Sequence, residues 1–431
     1  MRKILGSLAC IVVMLSIWPM HANAETRTAP TVTAPNSPQL LYSWWSKDQR
    51  PSIAMDFLSS SVAVILTPRG PEFIGTLNGP PLSRFDKTFN KTMDMMSFYN
   101  NPKPGYALPP EQIGLAFAAT STPNLLALPH GWVMDMGTFC GDISSDRRVL
   151  AVVVQSQHGA EGVCIWNLTS GPVANVFPSG HVVNVFQQPH GNPTAVAFSP
   201  SGTHLAVEYV LAGGTSFIGI WNVQTAKMVQ RVTAPAGDTD WQPTAMAYLD
   251  PSHLAIIADH LYIADLVNDG RLKYIPDPPQ MTFNLEAPKG LLNIPSSHQF
   301  ACILTGPNST VIGMYDAKTE RFLRGLSMNE LPPLSPVTTI ALAGEPDHIL
   351  FASTNLATGG TAFFGQIDTI TGQIMWRSPD ILGGCGYIVV SPDGQAALTG
   401  GALGSQLWRL PVEAGRIEPG QATKKLQSDG N

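Results

Sequence analysis

A cycle of strand, turn, strand, loop and strand recurs along most of this chain, and its period restricts the possible folds more than any other feature. The clearest copy reads "TAVAFSP", a turn at Ser201-Gly202, "THLAVEYV", a loop "LAGGTS", then "FIGIWNVQTAKMVQRV". Upstream, "DISSDRRVLAVVVQSQHGAEGVCIWNLTSGPVANVF" repeats the order, and downstream copies begin at "TAMAYLDPSHLAII", "LLNIPSSHQFACIL", "TTIALAGEPDHILF" and "GYIVVSPDGQAALT". Six copies lie between about residues 139 and 411, and their third strands end 41 to 55 residues apart. Four short strands per unit at that period is the spacing of a β-propeller.

Two details argue against chance. The loop "LAGGTSFIGIWNVQTAK" from Leu211 returns as "LATGGTAFFGQIDTITGQ" from Leu356, with glycine pair, threonine and closing turn in the same order. Each copy also sets Ser, Asp, Pro or Gly where the first hairpin must reverse, the residue types that such turns require.

The pattern resembles the WD-repeat and WD-like propeller families. The resemblance rests on "HGNPTAVAFSPSGTHLAVEYV…IGIWN", "ISSDRRVLAVVV…CIWN" and "VVSPDGQAALTGG…QLWRL", and it covers roughly two thirds of the chain. It implies that Trp166, Trp221 and Trp408 occupy the family's tryptophan position and that His190 stands near its Gly-His pair. Asn167, Asn222 and Arg409 replace the aspartate that usually follows the tryptophan, so the family's internal hydrogen-bond tetrad is not implied here.

The expected fold class is therefore all-β, a single β-propeller of four-stranded blades. Seven blades are expected, with eight as the alternative. Residues 53–77 read as a first blade and residues 113–137 as further strands, while residues 84–112 break the rhythm and read as an insertion. The early run "LLYSWW" is placed to pair with the last blade and close the ring, which removes exposed sheet edges.

The ends read differently from the body. Arg2 and Lys3, the apolar run "ILGSLACIVVMLSIW" and Ala22-Asn23-Ala24 form a secretory signal over residues 1–24. Residues 25–38 read as a flexible leader, 39–412 as the propeller and 413–431 as a disordered tail. A periplasmic or extracellular protein is expected, with no membrane span once the signal is removed. Only 13% of residues are charged, the net charge is −6 and no basic cluster occurs. That excludes the positive footprint a nucleic-acid partner requires.

Cys140, Cys164, Cys302 and Cys385 lie beyond the signal. On the first and third strands of one blade, Cys140 and Cys164 stand about 9–10 Å apart. A disulfide needs Cα atoms within about 7 Å, so small buried cysteines are expected instead. Histidines are scattered singly, and no pair falls at the short spacing of a zinc site. Met-Asp-Met at 93–95 and 134–136 has the soft sulfurs that Cu(I) selects, but methionines also fill gaps between an insertion and a core. The sequence points to no metal, no cofactor and no catalytic residue.

Repeated tryptophans at fixed register suit packing between blades. Trp44, Trp45 and Trp241 fall outside that register and, with Phe98 and Tyr99 of the insertion, are the expected exposed contacts for a partner. The expected function is a non-catalytic platform for a protein partner or a glycan. The alternative is a propeller enzyme of the lactone hydrolase or quinone-dependent dehydrogenase type, with its site in the central channel.

Overall fold

The computed structural model describes residues 37–44, 53–59, 62–67, 70–75, 128, 132–134, 140–156, 161–169 and 179–186. From 191 to 411 it describes all but 236–237, 239–240, 285–289, 307–309, 329–335, 344–346, 356–360, 380, 382–385 and 402–403. The insertion at 84–112 lies outside the described residues. Among those described, every element is a strand except a 3₁₀ turn at Pro295–Ser297.

Strand β1 (Gln39–Trp44) is taken up last in the ring. The first sheet is β2 (Ile53–Ser59), β3 (Val62–Thr67) and β4 (Gly70–Gly75). The second is β5 (Trp132–Met134) and β6 (Gly141–Ile143) on β7 (Val149–Ser156), then β8 (Glu161–Thr169) and β9 (Ser179–Phe186). The third is β10 (Gly191–Phe198), β11 (His204–Leu211), β12 (Ser216–Asn222) and β13 (Lys227–Thr233). The fourth is β14 (Ala245–Asp250), β15 (His253–Ile257), β16 (Leu261–Asp265) and β17 (Arg271–Ile275). The fifth is β18 (Thr282–Phe283) and β19 (Leu291–Ile294) on β20 (Gln299–Thr305), then β21 (Thr310–Asp316) and β22 (Phe322–Ser327). The sixth is β23 (Val337–Leu342), β24 (His348–Asn355), β25 (Thr361–Asp368) and β26 (Ile374–Arg377). The last is β27 (Tyr387–Val390), β28 (Ala396–Gly401) and β29 (Gly404–Arg409), with β1 added outside β29.

Six of these sheets hold four or five strands, and the first holds three. The all-β propeller is as expected, but there are six complete blades where seven of four strands were expected, and the first sheet, with three strands, is the one that departs. The innermost strands touch in a closed circle, β2 to β6, β10, β14, β19, β23, β27 and back to β2, the arrangement of a propeller. β1 runs antiparallel to β29 in the register Gln39 to Arg409 and Trp44 to Ser405, so a strand from the beginning of the chain completes the last blade.

The strand sequences follow from this packing. A middle strand has a neighbouring sheet on both faces and needs apolar residues throughout: Leu150–Val154 and Phe300–Leu304 are unbroken apolar runs without solvent exposure. An outer strand such as β13 alternates instead. Each core cluster joins two adjacent sheets: Trp166 packs with Val64 and Leu66 of the first sheet, Trp221 with Val153 and Ile165 of the second, Trp408 with Leu350 and Phe364 of the sixth. These three tryptophans are buried packing residues.

The hairpins repeat as well. Between third and fourth strands, Asn222, Asp265, Asp316 and Asp368 each accept backbone N–H bonds from two or three residues on, as from Thr225 at 2.8 Å and Thr319 at 2.6 Å. Each such turn also needs a left-handed residue: Ala226, Asp269, Glu320 and Gly372 have φ of 54°, 56°, 58° and 76°. In the first hairpins the hydroxyls of Ser144, Ser199 and Ser391 accept from the N–H five residues on.

Two outcomes follow. A methyl added at Gly372 meets nothing closer than Leu326 at 3.8 Å, so Gly372→Ala isolates the left-handed penalty and should cost about 1–2 kcal/mol in urea denaturation. The Asp316 carboxyl is held below its ordinary value by the Thr319 N–H and hydroxyl and then the Lys318 N–H. Its contribution is present above the ordinary carboxylate range and is lost as pH falls through the lowered value. Asp316→Asn, which keeps the acceptor as Asn222 does, should flatten the acid limb of the Tm-versus-pH curve with little change at pH 7. Asp316→Ala should lower Tm at pH 7.

Candidate functional site

In the fourth sheet the turn between the second and third strands lies on the same face of the ring as the chain that leaves β17. On that face the fourth sheet gathers two carboxylates, a histidine and two tyrosines. The tight turn Ala258–His260 carries Asp259 and His260, β16 carries Tyr262, β17 sets Tyr274 opposite it, and Asp277 follows β17.

His260 lies between two carboxylates. Its Nδ1 is 2.8 Å from Asp277 Oδ2 and its Nε2 is 3.6 Å from Asp259 Oδ2. The Tyr274 ring meets His260 edge-on at 5.1 Å, and Tyr262 stands 6.1 Å from Tyr274 and 6.4 Å from His260. The Tyr262 hydroxyl donates to Asp259 at 3.2 Å. Burial pushes that hydroxyl's pKa well above the ordinary phenol range, and the charges of Asp259 and Asp238 push it further, so it stays a neutral donor. Tyr274 is 47% exposed and the side chains of Asp259 and His260 are half-exposed, so an incoming group can reach rings and carboxylates together.

Such a set suits recognition of hydrogen-bond donors and cations, since aromatic faces and carboxylates both attract positive charge. Among the described residues, no three His, Cys, Asp or Glu converge as a metal site, and no helix is long and apolar enough to cross a membrane. Among the described residues Cys140, Cys164 and Cys302 form no disulfide, and Cys385 lies outside the described residues. Burial raises the pKa of the Cys164 and Cys302 thiols far above the ordinary value, so neither supplies a thiolate at neutral pH.

The residues expected at a partner surface fare differently. Trp44 lies on the closing strand β1. Trp45, Phe98, Tyr99 and His190 lie outside the described residues. Trp241 is a correction: expected as an exposed contact, it is 1% exposed, packed with Ile218, Ile220 and Ile256 and edge-on to Tyr262 at 6.4 Å. The connector that carries it folds over the seam between third and fourth sheets, and Gln242 Nε2 donates to the Gly214 carbonyl at 3.2 Å. A tryptophan outside the repeat register is thus still a core residue, because a connector here covers a seam.

Motif reading did not find Asp259, His260, Tyr262, Tyr274 and Asp277, because they sit at non-repeating positions. One signal was available. No lysine or arginine occurs between Arg231 and Arg271, while six aspartates do, so the chain from the third sheet to the edge of β17 is locally acidic.

Truncation should separate the two aromatics that flank Tyr262. Trp241→Ala should cost about 3–5 kcal/mol in urea denaturation, as a large buried aromatic does, and Tyr274→Ala under about 1 kcal/mol. Equal losses would place both in the core.

The sequence matches no protein-family model and no curated protein.

Proposed function

We propose that this chain is an exported, WD-like propeller of seven blades, the three-stranded first sheet counted as one, that works as a non-catalytic binding and assembly platform. A protein partner is the first choice and a glycan the second. The observation that supports this reading is the half-exposed cluster of Tyr274, His260, Asp259 and Asp277 in an otherwise repeated scaffold. Repeated positions hold the ring together, so selection for a partner acts on the side chains that do not repeat. Carboxylates beside exposed rings favour a partner presenting ammonium, guanidinium or hydroxyl donors, and the run of uncompensated aspartates draws such a partner by its field. Export is read from residues 1–24 and the blade count from the circle of inner strands; both belong to the proposal.

The test is capture of native partners on immobilised full-length protein, comparing wild type with Tyr274→Ala and Asp259→Asn/Asp277→Asn. A specific partner retained by wild type should be lost by both variants, with binding that weakens as salt rises from 50 to 300 mM, concentrations chosen to span roughly 14 to 6 Å of screening length. Capture that both variants retain in full would overturn the role of this face. A quinone that co-purifies with the protein, or hydrolysis of a lactone by it, would favour the enzyme reading instead.

A further inference from the structure

Among the described residues Glu208 is a buried acid that breaks its own repeat. Counting from the first residue of each second strand, which pairs with the last residue of the third, the position of Glu208 is filled elsewhere by Val153, Ile257, Ile303 and Ala352. Each of these is apolar, at most 1% exposed, and packed toward the next sheet. Glu208 is equally buried, at 1%. Its neighbours Val207 and Tyr209 pack against the second sheet and Ala206 against the fourth, so strand alternation turns Glu208 to the seam between third and fourth sheets.

Its partners are few. The Thr194 hydroxyl donates to Oε2, re-aimed by a bulge in β10 between Pro193 and Ala195, and Ser216 of β12 lies beside the carboxyl. Oε1 has no partner among the described residues. The described residues of β10 and β12 carry no ionisable side chain. Across the seam the ionisable groups are Tyr248 and Tyr262, with Asp238, Asp259 and His260 beyond them toward the face, and Asp250 and His253 at the far end. His204 begins β11 at that far end. Arg231, the nearest arginine in sequence, stands over the Phe217 ring at 3.8 Å, on the opposite side of the sheet. Among the described residues no positive side chain is placed to pair with an ionised Glu208.

We propose that Glu208 is a pH-operated latch: as a neutral acid it lets the seam between third and fourth sheets close, and its ionisation loosens that seam. Burial supports this by pushing its carboxyl up to about 8, with Thr194 and Ser216 offsetting only part of the effect. The closed seam binds the proton more tightly than an open, hydrated one, so closure weakens as pH rises from the ordinary glutamate value toward about 8 and changes little beyond. The loosening reaches Trp241, and through its edge contact Tyr262 of the candidate site. The latch itself does not depend on what, if anything, binds there.

The test is hydrogen–deuterium exchange of the full chain at pH 6 and pH 9, with intrinsic rates divided out. Wild type should lose protection in β11, β12 and β14–β16 at pH 9, by about tenfold for each pH unit up to about 8, while β20, β21 and β24 keep theirs. Glu208→Gln should abolish the loss. Glu208→Ile, which restores the apolar pattern of the other sheets, should do the same and covers the case in which the amide folds poorly. A seam that loosens equally in both variants, or that never loosens in wild type, overturns the proposal.

Discussion

Everything in this molecule depends on sheets that cannot stand alone. A middle strand such as Leu150–Val154 is apolar on both sides, so each sheet must be covered by a neighbour on either face. A row of such sheets would end in two uncovered faces. Bending the row into a circle leaves none, and the pairing of β1 with β29 fixes the last blade by joining the beginning of the propeller to its end. The tryptophans serve the same constraint: Trp166, Trp221 and Trp408 fill the wedge between adjacent sheets, and the Trp408 indole Nε1 donates to the Thr399 hydroxyl at 3.1 Å.

The repeat was legible because turn chemistry is local. Ser199 and Ser391 announce the first hairpins, and the closing strand β1 was visible as an apolar run with no other partner in the sequence. The departures from the WD pattern also become clearer in structure. Asn222 was read as a replaced aspartate, yet Asp265, Asp316 and Asp368 hold the same place in sheets that lack the tryptophan, and all four perform one task, accepting N–H bonds in the outer turn. The tryptophan packs a seam and the Asx residue sets a turn, so either persists without the other.

What could not be read was long-range. Trp241 looks exposed in sequence because it sits in a polar, proline-flanked connector, and nothing local says that the connector lies across a seam. Tyr262 and Tyr274 become neighbours only through the pairing of β16 with β17, and Asp277 meets His260 only because the chain leaves β17 beside the turn that carries it. Side chains drawn from separate segments leave no spacing for a motif search to detect.

A repeated scaffold supplies its own internal control, which sharpens the weight of each exception. Where four sheets place Val, Ile or Ala and one places Glu, packing alone does not account for the acid, since the same geometry is satisfied elsewhere by hydrocarbon at lower desolvation cost. The chain that enters and builds the fourth sheet shows a second exception, six aspartates and no lysine or arginine between Arg231 and Arg271. The two exceptions meet at one seam. A negative field opposes further negative charge, so a partner that brought positive charge to that face would ease the ionisation of Glu208. On the two proposals above, proton release and partner binding at the fourth sheet would be coupled by electrostatics, in the same direction.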